Sequence, residues 1–462
     1  MSTRLEDLAA PEPDGSAAGI WPTTAQRLPT GELAVGGVSM ARLAREFGTP
    51  LYVVDEEDMR RRARAWKEAM DQAFADLAGG HAFYAGKAFL CGAVARWMAD
   101  EGLFIDTCSE AELRTALAVG IPGERIGLHG NNKSRAEIEL ALDTAVSHLV
   151  VDSLAELAQV EAIAAGRGAT ANVMLRVTTG VHAGGHEYIA TAHEDQKFGL
   201  SIASGAARRA IEETLAADHL RLIGLHSHIG SQILSREAFT TAARAVLALR
   251  ATAVRELGCV IPEVDFGGGY AVRYTVLDDV PPAVSDYAEA LAATVRADAE
   301  ATGIPAPLVS VEPGRSIAAP AGITLYTVGT IKSVALEDGT RRYVSVDGGM
   351  SDNIRPALYE ADYTATLASR VPATDGVRTR VVGKHCESGD IVVHDVSLSA
   401  DLGPGDVVAV PVTGAYGRSM ASNYNLLPRP GVVAVRDGEA RWVLRPESIS
   451  DLLKLDVEAS GA

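Results

Sequence analysis

One lysine, Lys87, stands inside a small and apolar run, FYAGKAF, at residues 83–89. An ammonium buried in such a run is costly unless something neutralises or uses it. Its amine form attacks carbonyl carbons and forms Schiff bases. Other chemistry-bearing residues follow at intervals: Asp106, His129 with Asn131, Arg176, His228 with Ser231, the triple glycine Gly267–Gly269, and Glu312 with Arg315. Further on, GKHCESGD places Cys386 beside Glu387. Histidines and carboxylates move protons, arginines grip carboxylate or phosphate, and glycines let backbone N–H groups approach an anion. Each has a plain alternative. A lone lysine can snorkel to the surface, a triple glycine can be a simple turn, and a single cysteine is often a small buried hydrophobe.

The elements that carry these residues follow a countable rhythm. Short apolar runs read as strands at 81–86, 103–109, 125–130, 148–153, 172–178, 221–230, 263–270 and 308–314, with amphipathic stretches between them. Eight strand–helix units predict an α/β fold, a (β/α)8 TIM-like barrel. A doubly wound open sheet is disfavoured by that number and by the lack of GxGxxG after the first strand. Residues 1–30 read as a flexible extension, and SMARLAREFGTP as a short helix stopped by Gly48 and Pro50. Past about residue 320 helices become scarce and strands dominate, with Asp437-Gly438 as a hairpin turn. The expected organisation is therefore an extension over 1–30, a segment over 31–54 joining the β domain, the barrel over 55–320, and a separate all-β, sandwich or Greek-key-like domain over 321–462.

The charge balance narrows the partners. Lys plus Arg is 42 against 60 for Asp plus Glu, a formal net charge of −18. That argues against nucleic acid or an anionic membrane as partner. The apolar runs are far short of a membrane span and the polar N-terminus has no secretory pattern. The four cysteines, Cys91, Cys108, Cys259 and Cys386, show no zinc spacing. A cytoplasmic protein is expected.

In a (β/α)8 barrel the active site lies at the C-terminal strand ends. Lys87, Asp106, His129, Arg176, His228, Gly267–Gly269, Glu312 and Arg315 all fall at or beyond such ends. The glycines after strand seven and the PGR after strand eight stand where barrels bind phosphate. A phosphate site, a lysine and a carboxylate on one rim point to pyridoxal 5′-phosphate, whose aldehyde lysine holds and whose pyridine nitrogen a carboxylate keeps protonated.

The segments FYAGKAFL, LHGNNKS, HEDQKFG, GLHSHIGSQI, DFGGGY, VEPGRSI, VDGGMSDNIRPALY, GKHCESGD and GAYGRSMASNYN run in order across residues 35–455. In this the chain resembles the barrel-fold pyridoxal-phosphate decarboxylases, and among them the diaminopimelate decarboxylases of the actinobacterial kind. The resemblance implies that Lys87 carries the cofactor, His228 stacks on its ring and Glu312 pairs with its pyridine nitrogen. It places Ser231, Gly268, Gly269, Gly314, Arg315 and Tyr416 around the phosphate. It gives Arg315, Arg355, Tyr359, Glu387 and Tyr416 to the substrate, and makes Cys386 a proton donor reaching in from the second subunit of a homodimer with shared sites. The implied reaction is decarboxylation of meso-2,6-diaminopimelate to L-lysine and CO2, the last step of lysine biosynthesis.

Charge chemistry favours the same substrate. Arginines suit a distal carboxylate and Glu387 a distal ammonium, whereas ornithine carries only an ammonium there. The alternatives are a related barrel decarboxylase acting on ornithine, arginine or carboxynorspermidine, a racemase on the same barrel, and a non-catalytic binding relative. No metal is expected, although VHAGGHEYIATAHED is rich in histidine and acid. A mobile loop is expected over Gly180–Lys197.

Overall fold

The structure is a computed structural model that describes every residue except 1–4, 6, 7, 17, 182–196, 338 and 460–462. The histidine-rich stretch and nearly all of the expected mobile loop lie outside the described residues. Contacts divide the chain into two units, residues 62–271 with 282–315, and residues 1–61 with 272–281 and 316–462.

The first unit is a closed barrel of eight parallel strands: Gly80–Ala85, Phe104–Thr107, Ile126–Leu128, His148–Val151, Ala171–Thr178, Leu220–His226, Glu263–Asp265 and Leu308–Val311. The last pairs with the first, Val309 opposite Gly80. Strands covered on both faces carry near-continuous apolar runs, and the first and fourth strands are buried almost throughout. Helices occupy the intervening segments, started by serine caps such as Ser109, Ser134 and Ser153. Register sets the rim. Arg176 lies opposite His226, His226 opposite Asp265, and Asp265 opposite Ser310, while Ala85 lies opposite Asp106. Four neighbouring strands thus bring their polar ends to one level.

An aromatic cluster fixes the loops beyond strands six and seven. Tyr270 packs on Trp66 at 4.4 Å, on Phe239 at 4.7 Å and on Tyr287 at 5.1 Å. The Tyr287 hydroxyl donates to the Ile233 carbonyl at 3.1 Å. Each such aromatic pair is worth about 0.5–1.5 kcal/mol beyond the area it buries. The loop bearing Ser231 and the glycine run that ends at Tyr270 are thereby anchored to one apolar mass.

The second unit is mostly sheet. Its long strand Gly322–Leu336 pairs with Leu51–Asp55 and Val407–Pro411 along its first half, and with Gly339–Val346 along its second. A register shift near Val328 separates the halves, so one strand serves two sheets. Leu51–Asp55 also pairs in parallel with Val432–Arg436. The hairpin at Asp437-Gly438 forms with both residues at positive φ, 52° and 81°. The helix Met40–Phe47 forms, with Ser39 accepting from the Arg42 N–H and Gly48 at φ 77° closing it.

Candidate active site

Lys87 occupies the turn Gly86–Ala88 at the end of the first barrel strand. Its neighbours are buried, but Lys87 itself is exposed. The apolar run around it predicts a buried lysine. The strand instead stops at Ala85 and the turn lifts the side chain out of the packed layer. Asp106 ends the second strand, buried. His129 follows the third, its N–H donating to the Thr107 carbonyl at 2.8 Å.

The glycines after strand seven are demanded by close approach. Gly267 and Gly269 have φ of 70° and 106°. A Cβ on Gly268 would lie 2.3 Å from the Glu312 carbonyl oxygen, and one on Gly314 would lie 2.9 Å from Ala85. Backbone hydrogen bonds knit the same loops: Ser227 donates to Asp265, Glu312 to Gly267 and Ile233 to Gly269, each at 2.9 Å. Gly268 N–H donates to His228 Nδ1 at 3.2 Å, and Arg315 Nη2 donates to Ser231 Oγ at 2.8 Å. Strand six ends at His226, so His228 stands in the loop beyond the strand.

Between these loops lies a buried charge cluster. His129 Nε2 stands 2.9 Å from Glu312 Oε1 and 3.2 Å from Asp106 Oδ1, and His226 Nε2 stands 3.3 Å from Glu312 Oε1. Burial lowers His129 to about 4 despite the adjacent Glu312 carboxylate, so its imidazole is neutral. Burial, and then the charge on Glu312, push Asp106 and Asp265 well above the usual carboxylate range. Burial would raise Glu312 too, but the two imidazoles outweigh it and hold Glu312 well below that range. Burial, and then the positive charge of Lys87, keep His228 neutral. One negative charge among three buried carboxylates therefore sits on Glu312. Yet Glu312 Oε1, Asp106 Oδ1 and both ring nitrogens of His226 lack a well-formed hydrogen bond despite these short approaches. Buried polar atoms left so are uncommon and mark a place that a further polar group completes. An ionised carboxylate, a nearby lysine and a glycine-lined cradle fit a pyridinium ring bearing an aldehyde and a phosphate. His129, His226 and Glu312 also bring three possible metal-ligand atoms within 4.8 Å of one another.

The second unit carries the remaining expected residues. Arg355 is buried, with Nη1 donating to the Tyr363 hydroxyl at 2.6 Å and its guanidinium 4.4 Å from the Tyr274 ring. Tyr359 is 59% exposed. Cys386 is exposed, which is not how a small core hydrophobe sits. Its N–H donates to Asn425 Oδ1 at 3.2 Å. Glu387 is exposed and accepts from the Tyr424 hydroxyl at 3.4 Å. Tyr416 is half-buried at φ 61°, an uncommon backbone for a bulky residue. Buried Asp390 ties the two loops together, accepting from the N–H groups of Met350 at 2.6 Å and His385 at 2.8 Å. A Cβ on Gly349 or Gly383 would fall within 2.4 Å of its carboxylate, which accounts for Gly349 in VDGGMSD and Gly383 in GKHCESGD.

The family described as pyridoxal-dependent decarboxylase, pyridoxal binding domain, matches residues 56–319. A diaminopimelate decarboxylase of Mycobacterium tuberculosis is 50% identical over 446 residues, which cover 96% of this chain and 98% of that protein. The chain belongs to the diaminopimelate decarboxylase family. A Corynebacterium efficiens member of that family is 48% identical over 95% of each chain. The crystal structure of the M. jannaschii diaminopimelate decarboxylase, in complex with L-lysine, superposes with a TM-score of 0.87 at 31% identity, covering 94% of this chain and 98% of that one. The barrel and the mostly-sheet unit are both part of the family architecture. Sequence reasoning passed over the partners that brace the site in this family member: Asp265, Tyr274, Tyr363 and Asn425. Asp265 lies inside the motif DFGGGY and Asn425 ends GAYGRSMASNYN, whereas Tyr274 and Tyr363 lie in no such segment.

Proposed function

We propose that the chain decarboxylates meso-2,6-diaminopimelate to L-lysine and CO2 with pyridoxal 5′-phosphate. The observation that carries this is the buried carboxylate Glu312, held well below the usual carboxylate range between His129 and His226 on the same barrel rim as Lys87, in a chain of this family. Lys87 would hold the cofactor's aldehyde carbon, Glu312 its pyridine nitrogen and His228 one ring face. Ser231, Gly268, Gly269, Gly314 and Arg315, with Tyr416, would hold its phosphate. When bound, the cofactor supplies an electron sink for the pair released as CO2 leaves.

The chain's own residues do the rest. Arg355, Tyr359, Glu387, Tyr416 and Arg315 would bind and orient the two ends of the substrate, an arginine gripping each carboxylate it meets in bidentate fashion. Cys386 would hand a proton to the carbon that loses CO2, the step that fixes the product as an amino acid. The exposure of Cys386, Glu387 and Tyr359 supports delivery of these groups to a second copy of the chain. A homodimer with shared sites is part of this reading. No helix among the described residues is long and apolar enough to cross a membrane. Four free cysteines support a cytoplasmic setting.

The test offers purified protein meso-diaminopimelate, ornithine and arginine in parallel, and measures CO2 and amine products. Release of L-lysine from meso-diaminopimelate alone is expected. Turnover of ornithine or arginine in its place would overturn the substrate assignment.

A further inference from the structure

His129 has no part in the cofactor and substrate assignments above, yet it is central to the buried cluster. Its Nε2 is within 3.2 Å of carboxylate oxygens from two different strand ends, Asp106 and Glu312. With Glu312 ionised, a proton on Nε2 gives that carboxylate a donor at 2.9 Å, whereas a bare Nε2 would set two acceptors against each other. The His129 ring lies edge-on to His226, centroids 4.9 Å apart at 77°, which leaves little room for it to rotate away. The residue is 8% exposed and its backbone is pinned to Thr107, so solvent and loop motion do little to change its orientation.

We propose that His129 is a positioning residue: one Nε2–H, held between Asp106 and Glu312, orients the Glu312 carboxylate and settles the shared negative charge on it rather than on Asp106. This rests on the reading of Glu312 as the partner of the cofactor's ring nitrogen. The physical reason is that two nearby buried carboxylates do not both ionise. A donor closer to one than to the other biases which of them does, and 2.9 Å against 3.2 Å favours Glu312. Asp106 then keeps its proton and faces the Lys87 side of the rim, where Ala85 is its strand neighbour. The other ionisable groups acting on the cluster are Lys87, Cys108, Glu112, Arg176, His226, His228 and Asp265. All of them remain in the variants below, so a change can be assigned to His129.

The experiment uses the full chain loaded with pyridoxal phosphate, as wild type, His129→Leu and His129→Gln. It records the visible absorbance of the bound cofactor against pH, together with kcat and KM for meso-diaminopimelate. Leucine removes the donor, and glutamine retains an N–H. In His129→Leu the pH midpoint of the absorbance change should move by about one unit or more, the tenfold change in proton affinity expected when such a donor is lost. The value of kcat should fall about tenfold or more, with KM changed less than about threefold. His129→Gln should recover most of both. An absorbance midpoint and kcat unchanged in His129→Leu would overturn the proposal. So would equal losses in the two variants with unshifted midpoints, since that pattern is structural damage. Thermal melting of each variant identifies a chain that fails to fold, and Asp106→Asn supplies a second route, because a neutral amide there should leave the Glu312-linked midpoint within about half a unit of wild type. If wild type itself neither binds the cofactor nor releases lysine, the proposed function fails, and that outcome is distinct from a normal wild type with an indifferent His129 variant.

Discussion

Lys87 and Cys386 bear on the reaction in different ways, and their variants should separate. Lys87→Ala removes the amine that would hold the cofactor. It should abolish the visible absorbance of the purified protein and lower turnover by more than about 10³-fold; a coloured, active Lys87→Ala protein would contradict the assignment. Cys386→Ala should keep the absorbance and lose about 10²-fold in kcat, the usual scale for a positioned proton donor. His129 makes a prediction about stability as well. An ordinary imidazole takes up its proton near 6.5, but this one does so at about 4. Between those values the unfolded chain holds a proton that the native chain lacks. The stabilising contribution is complete above 6.5 and is lost as pH falls through about 4. The contribution of His129 to the unfolding free energy should drop by ~1.4 kcal/mol per pH unit across that window, ~3 kcal/mol in all, against the opposite slope that the raised carboxyls of Asp106 and Asp265 supply. His129→Gln should remove the His129 share of the net slope in denaturant titrations at pH 7 and pH 5, and an equal slope in the variant would refute the account.

Strand ends and the loops beyond them convert these residues into a site, and the sequence reveals this scale unevenly. The eight barrel strands were readable because parallel strands buried on both faces leave unbroken apolar runs. The rim residues were readable because they follow those runs directly. The burial of Lys87 was misjudged, since composition describes neighbours and not the turn that lifts a side chain away from them. Asp390 was visible only as an acid flanking Cys386. Its role depends on Met350, which is distant in sequence, and no local pattern encodes that contact. Two substitutions test the loop architecture. Gly268→Ala puts a methyl 2.3 Å from the Glu312 carbonyl, so the loop must shift. It should weaken cofactor binding at least about tenfold in titrations followed by absorbance, with strain of about 1–3 kcal/mol in melting experiments. Native cofactor affinity in Gly268→Ala would show that the close approach is dispensable.

At the scale of the molecule, the proposed sharing of sites makes a demand that single chains cannot meet. Lys87→Ala and Cys386→Ala proteins should each be nearly inactive, yet mixing them under conditions that exchange subunits should restore activity. Half of the dimers would be mixed and each would hold one intact site, so about a quarter of wild-type turnover should return. No recovery after verified exchange would mean that each chain completes its own site. The pairing of Leu51–Asp55 adds a consequence for biosynthesis. That strand leaves the ribosome before the barrel, but its partners, Gly322–Leu336 and Val432–Arg436, are translated after it. During elongation it is an apolar edge without a neighbour, the kind of segment that recruits other chains. The nascent polypeptide must keep it harmless for as long as the barrel takes to emerge, so chaperone demand in the cell should peak at intermediate chain lengths and fall once residue 436 has cleared the exit tunnel.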